Sequence, residues 1–269
     1  MQYVLHHNDV DGICSAFAVW MVLKDAAKYI SVQYGKPLPE LYNPTKVYIV
    51  DFSYKKEIIA ELCERCEVVL LDHHVTAQNE LSDFEHRNLT KIIDTTRSGA
   101  MITWEYMMMY LPIPNFVRDV QDYDLWKFER PNTKYIHEYL DLVGFDMDEY
   151  FSLLLENKYK HAVEKGMLLH RAKMKQVEYI ANSKSVQTDS MGNTFAKVNS
   201  PIHMNEIAEH IYSNDEKISY VDVYFISDYN GKLYERHSLR SNGVCDVRAI
   251  AEKYNGGGHT SSAGYSVSL

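Results

Sequence analysis

The chain has 269 residues, 46% of them hydrophobic and 24% charged, with a formal net charge of −9. That is enough apolar content for one large domain or two smaller ones, and the acidic balance excludes a surface built to grip long nucleic acid through many Lys and Arg contacts to phosphate. No apolar run approaches the roughly 20 residues that cross a bilayer, and the N-terminus lacks the basic and apolar regions of a leader, so a cytoplasmic protein with no membrane partner is expected.

In chain order, YVLHH (residues 3–7), KVYIVDFS (46–53) and CEVVLLDHH (66–74) read as strands. GICSAFAVWMVLKDAAKYI (12–30), SYKKEIIAELCERC (53–66) and SGAMITWEYMMMYL (98–111) have helical spacing. The alternation predicts a mainly parallel α/β sheet flanked by helices. Cys63 and Cys66 fall in a helix-like segment with no second Cys pair or nearby His, so packing cysteines are expected there and the four cysteines form no disulfide framework.

Residues from about Met147 to Ser183 form a charged helical connector. Beyond it, SVQTDSMGNTFAKV reads as a hairpin around Gly192-Asn193, MNEIAEHIYS as a helix, and ISYVDVYFISDYNGKLYERHSLRS as a second hairpin turning at Asn230-Gly231. The predicted organisation is an α/β domain over residues 1–185 with its connecting helices, followed by a smaller α+β domain over 186–269.

Each of the three strands ends in Asp or His, and open parallel sheets collect their ligands at the carboxyl ends of strands. In extended backbone, side chains two apart point the same way, so His7, Asp9 and Asp11 share a face and His6 lies opposite. Imidazole mixed with carboxylate suits Mn, Fe or Zn. Asp51 closes the second strand, and Asp72, His73 and His74 close the third. VRDVQDYDLWKF adds Asp119 and Asp122, three apart on one helix face, and Asp124, which reads as a solvated turn residue.

HNDVDG, the lone Asp51, LLDHH and QDYDLW, in this order, resemble the DHH phosphoesterase superfamily, and SLRSN followed by GGGHTSSAG resembles its associated C-terminal substrate-binding domain. Within the superfamily the chain is most similar to short oligoribonucleases and cyclic-nucleotide phosphodiesterases. The resemblance implies two divalent ions, manganese before magnesium, cobalt or iron. Asp51 would bridge them, with His7 and Asp9 on one side and Asp11, His73 and Asp122 on the other. His74 would contact the phosphate or assist the leaving group, and Asp72 would orient a ligating imidazole. Some branches carry the first histidine four residues ahead of the first aspartate; here that position is Leu5, and His7 takes its place by parity.

Consecutive glycines let backbone N–H groups approach an anion and Arg forms bidentate phosphate contacts, so Arg240, Ser241, Gly256, Gly257, Gly258 and His259 are the expected substrate contacts. The same glycines also read as a turn after the helix CDVRAIAEKYN. Arg97 reads equally as a cleft residue or as part of the helix start capped by Ser98. The expected function is hydrolysis of short oligonucleotides or small linear or cyclic nucleotides. A phosphomonoesterase or pyrophosphatase and an inactive nucleotide sensor are the alternatives, and a homodimer is left open.

Overall fold

The apolar runs that lead into the Asp- and His-bearing segments become β1 (Gln2–His7), β3 (Lys46–Val50) and β4 (Glu67–Asp72), joined by β2 (Ala27–Val32) and β5 (Leu89–Ile93). This is a computed structural model that describes residues 1–269. The five strands pair in parallel in the order β2-β1-β3-β4-β5. Between and after them come α1 (Val10–Leu23), α2 (Lys56–Arg65), α3 (Val75–Leu81), α4 (Gly99–Met108), α5 (Asn115–Asp124), α6 (Thr133–Val143), α7 (Met147–Ser152) and α8 (Glu156–Ala181).

Strands buried on both faces are apolar at every position, and parity decides which core each side chain enters. Val4, Val50 and Leu71 join one core with Phe17 of α1 and Trp104 of α4, while Tyr3, Leu5, Ile49 and Leu70 join a second with Ile59 and Leu62 of α2. Cys63 and Cys66 pack in that second core as free thiols.

The helix expected over residues 12–30 stops at Leu23, where Lys24 takes a left-handed φ of 46°. The remainder pairs with β1 as an edge strand. Edge strands are held through the backbone, so their side chains need carry no apolar run, and the same holds for β5.

Contacts divide the chain into two units, Met1–His170 and Arg171–Leu269. The division falls inside α8, ahead of the expected boundary between residues 185 and 186. The second unit contains β6 (Ser185–Thr188), β7 (Thr194–Asn199), α9 (Met204–Asn214), β8 (Tyr220–Tyr229), β9 (Lys232–Arg240), α10 (Val247–Glu252), β10 (Gly257–His259) and β11 (Ser262–Ser268). Its sheet runs β10-β11-β9-β8-β7-β6, antiparallel except for β7 with β8. The β8–β9 loop is the expected Asn230-Gly231, with φ of 55° and 77°, the pattern of a two-residue hairpin turn. Ile207 and Ile211 of α9 pack on one face against Val221 and Val223, and Val247 and Ala251 of α10 on the other against Tyr220 and Leu239. No helix is long and apolar enough to cross a membrane.

Gly12 sits where α1 crosses the end of β1, and a Cβ there would lie 2.3 Å from the His7 carbonyl oxygen. Gly12→Ala is therefore expected to displace the β1–α1 junction and cost roughly 1–3 kcal/mol, read as a lowered midpoint in urea unfolding.

Candidate metal centre

β1 lies between β2 and β3, so the chain leaves β1 in one direction and returns on its other side. A parallel sheet opens a crevice at such a reversal, outside the carboxyl ends of the strands. β1 delivers His7 there and β3 leads directly to Asp51.

The extended-strand parity expected for His7, Asp9 and Asp11 does not hold, because the strand ends at His7. Asp9 caps α1, accepting from the Gly12 N–H at 2.9 Å, and Asp11 lies in the first helical turn. The residues converge by other means. Asp9 Oδ2 is 2.6 Å from His7 Nδ1, while Asp11 accepts the α4 N–H groups of Gly99 and Ala100 at 2.7 and 3.0 Å. His6 is buried on the opposite side, stacked on Phe145.

Asp51 is 1% exposed, has a φ of 53°, and its two carboxylate oxygens have no aligned hydrogen-bond donor. His73 Nε2 stands 3.2 Å from Oδ1 and His7 Nδ1 4.0 Å from Oδ2. Gly99 makes room for it, since a Cβ at that position would sit 2.5 Å from the Asp51 Cβ and 2.7 Å from Oδ1. Nothing in the sequence singled out Gly99, whose requirement arises only when α4 reaches the end of β3.

Asp72 is fully buried, and its Oδ1 accepts from the His73 and His74 N–H groups and lies 2.7 Å from His74 Nδ1. The imidazole it orients is thus that of His74. Burial pulls the His74 pKa down, and the Asp72 hydrogen bond together with the charges of Asp72, Asp124 and Asp11 raises it above its ordinary value.

Asp122, expected as a metal donor, is committed elsewhere. Its carboxylate accepts the Glu129 and Arg130 N–H groups at 3.1 Å each and the Thr133 hydroxyl, stapling the loop after α5. Asp119 is likewise held, by Arg130 Nε and the Tyr159 hydroxyl at 2.6 Å each. The carboxylate that reaches the cluster is Asp124, expected to be solvated, whose Oδ2 lies 3.5 Å from His73 Nε2. One sequence signal was available: an acid at the last residue of a helix opposes the helix dipole and calls for a nearby cation. Arg97 is tied to Asp94 at 2.7 Å and to Glu105.

Three overlapping groups result, His7–Asp9–Asp51, Asp51–His73–His74 and Asp11–His73–Asp124, each with donor atoms within 4.8 Å of one another. Burial, and then the charges of Asp11, Asp9 and Asp124, push Asp51 well above the usual carboxylate range. Burial, then Asp11 and Asp9, push Asp124 up to about 8. Burial lowers His73. A buried carboxylate without aligned donors among further carboxylates and imidazoles is a donor set that fits divalent cations, with Asp51 common to two groups.

In the second unit, Arg240, Ser262 and His259 stand in register across β9, β11 and β10, which places their side chains on one face of the sheet. Arg240 Nε donates to Asn205 Oδ1 at 2.6 Å. The glycines form an edge strand in place of a turn. A Cβ at Gly256 would meet the Gly264 carbonyl oxygen at 2.2 Å and one at Gly258 the Ser262 oxygen at 2.5 Å, whereas Gly257 faces open space. Ser241, expected as a phosphate contact, is buried, its hydroxyl accepting the Gly243 and Cys245 N–H groups.

Three histidines and four carboxylates gather at the carboxyl edge of the parallel sheet, the donor set of a metal-dependent class of protein. The model of the DHH family, N-terminal domain, matches residues 2–143, and the chain belongs to that family. An uncharacterised protein of Acanthamoeba polyphaga mimivirus is 30% identical over 291 residues, covering 98% of this chain and 67% of that protein. The oligoribonuclease NrnB of Bacillus subtilis (strain 168) is 24% identical over 301 residues, covering 99% and 73%. The fold is shared with the pGpG-specific phosphodiesterase PggH of Vibrio cholerae, at a TM-score of 0.51 and 15% identity over 100% of this chain and 93% of that one.

Because Asp124 is pushed up to about 8, the folded metal-free chain keeps a proton there that the unfolded chain has lost above about pH 4. The native state binds more protons across that window, so this group's contribution to stability falls as pH rises from about 4 to about 8. In chelator, the melting temperature of the native chain relative to Asp124→Asn should fall between about pH 5.5 and 8. Adding Mn2+ should raise it more at the upper pH, since metal displaces the proton. Isothermal titration should show Mn2+ affinity weakened about tenfold or more by Asp124→Ala. Asp122→Asn should retain the metal stoichiometry and lower the melting temperature, the sign of a stapling group left with fewer bonds.

Proposed function

We propose that the chain is a two-metal phosphodiesterase that hydrolyses short oligonucleotides, releasing nucleoside monophosphates, or opens small linear and cyclic dinucleotides. The observation that carries this reading is Asp51, buried, without hydrogen-bond donors, and common to two of the three donor groups. His7 and Asp9 would join it around one ion, and Asp11, His73 and Asp124 would complete the second, with manganese the favoured metal for mixed imidazole and carboxylate donors. When bound, such a pair acidifies water and offsets charge on the phosphate during in-line displacement.

The protein's own groups supply the rest. Asp72 fixes His74 through Nδ1, leaving Nε2 to donate to a phosphate oxygen or to the departing ester oxygen. The Asp11 carboxylate is anchored by the α4 N-terminus and cannot swing out of the cluster. Within the second unit, Arg240, His259 and the open backbone at Gly257 offer donors suited to a phosphate group. The names of the oligoribonuclease and the phosphodiesterase among the relatives support this substrate class, and the net charge of −9 suits a short substrate better than a long one.

With Mn2+, the purified protein should hydrolyse diadenylate and release AMP, and cyclic dinucleotides, a nucleoside 3′,5′-bisphosphate and pyrophosphate complete the panel. Asp51→Ala should lower turnover by roughly three orders of magnitude, the scale of losing an electrostatic anchor in a site closed to water. Hydrolysis of pyrophosphate alone, or turnover indifferent to Asp51→Ala, overturns the proposal.

A further inference from the structure

The loop after α5 carries a tryptophan beside the metal donors. Asp122 accepts the Glu129 and Arg130 N–H groups through its side chain, and its carbonyl accepts Lys127 N at 2.9 Å, so the loop closes on the helix that ends in Asp124. Within it Trp126 and Phe128 adopt left-handed φ of 55° and 52°. Bulky residues hold that conformation only where the surroundings impose it, and such positions gather at ligand sites.

Trp126 is held by T-shaped contacts with Tyr123 at 5.7 Å and Phe128 at 4.8 Å, yet it remains 57% exposed. The chain's other tryptophans, Trp20 and Trp104, pack in or against the first core. Trp126, Tyr123 and His137 line a cavity of about 230 Å³ whose other wall includes Asp9, Asp11 and Asp124. Aromatic rings and the donors of both proposed ions therefore face one space. A phosphate drawn to those ions carries a base one ribose away, and an exposed indole offers that base a flat surface.

We propose that Trp126 is the stacking platform for the nucleobase next to the scissile phosphate, and that Asp122 is the positioning residue that presents it. This rests on the phosphodiesterase reading and deepens it, naming a substrate that must carry a base on this side. Stacking accepts any base, so the site selects nucleotides over other phosphodiesters without reading sequence.

The test compares the full-length wild type, Trp126→Ala and Trp126→Phe on diadenylate and on its two singly abasic analogues. Trp126→Ala should raise KM for diadenylate roughly 10- to 100-fold, with kcat little changed, and Trp126→Phe should recover most of the loss. One abasic analogue should be hydrolysed equally by wild type and Trp126→Ala. Independently of turnover, AMP in the presence of Mg2+ should quench a component of the fluorescence that Trp126→Phe lacks. A fall in kcat with KM unchanged, an equal rise in KM for both abasic analogues, or the absence of quenching overturns the inference. If diadenylate is not hydrolysed at all, the phosphodiesterase reading falls, and the AMP quenching still decides whether Trp126 holds a base.

Discussion

A buried carboxylate with no hydrogen-bond donor of its own is the constraint around which the first unit is arranged. Transferring an isolated ionised carboxylate out of water is far more costly than the whole stability of a typical domain unless it is paired or protonated. Asp51 is kept in that position by the strand order, by a left-handed backbone and by Gly99, where any side chain would strike it. The nearest basic groups are imidazoles, and burial holds His73 toward its neutral form. Cations reconcile these facts, because they convert a cluster of like charges into shared attraction, and Asp51, common to two donor groups, gains most.

The aspartates around it show how one residue type is assigned different work by local backbone geometry. Asp9 and Asp11 each spend a carboxylate on helix N-terminal N–H groups, one on its own helix and one on α4. Such bonds favour the ionised form and fix the oxygens in place. Asp122 and Asp119 are consumed by the loop and by Arg130 and Tyr159. Asp124, two residues beyond Asp122, has no such partner for Oδ2 and is left facing the cluster. The loop that leaves Asp124 facing the cluster also exposes Trp126.

In the second unit each face of the sheet carries a helix, with α9 on the side of Arg240 and α10 on the other. One row across three strands carries Arg240, Ser262 and His259, while the next residues, Leu239 and Ala263, turn into the core under α10. Gly256 and Gly258 let β10 lie against β11 without obstruction, and Gly257 keeps the outer side open.

Much was legible from residue order alone. The parallel sheet followed from apolar runs bounded by turns, the two hairpins from Gly192 and Asn230-Gly231, and the convergence of His7, Asp9, Asp51, His73 and His74 from their places at strand ends. The edge strands β2 and β5 escaped because backbone pairing leaves little mark on side-chain pattern. Asp122, preferred to Asp124 on resemblance, is bonded by the following loop while Asp124 faces the cluster, and helical spacing is silent on which carboxylate such a loop will claim. Periodicity and strand-end chemistry are local properties, so the sequence by itself determined the fold class and the kinds of donor. Which carboxylates remain unpaired depends on strand order, on Gly99 beside Asp51 and on the path of the 125–130 loop. Those are relations between segments far apart in the chain, and only the tertiary structure decided them.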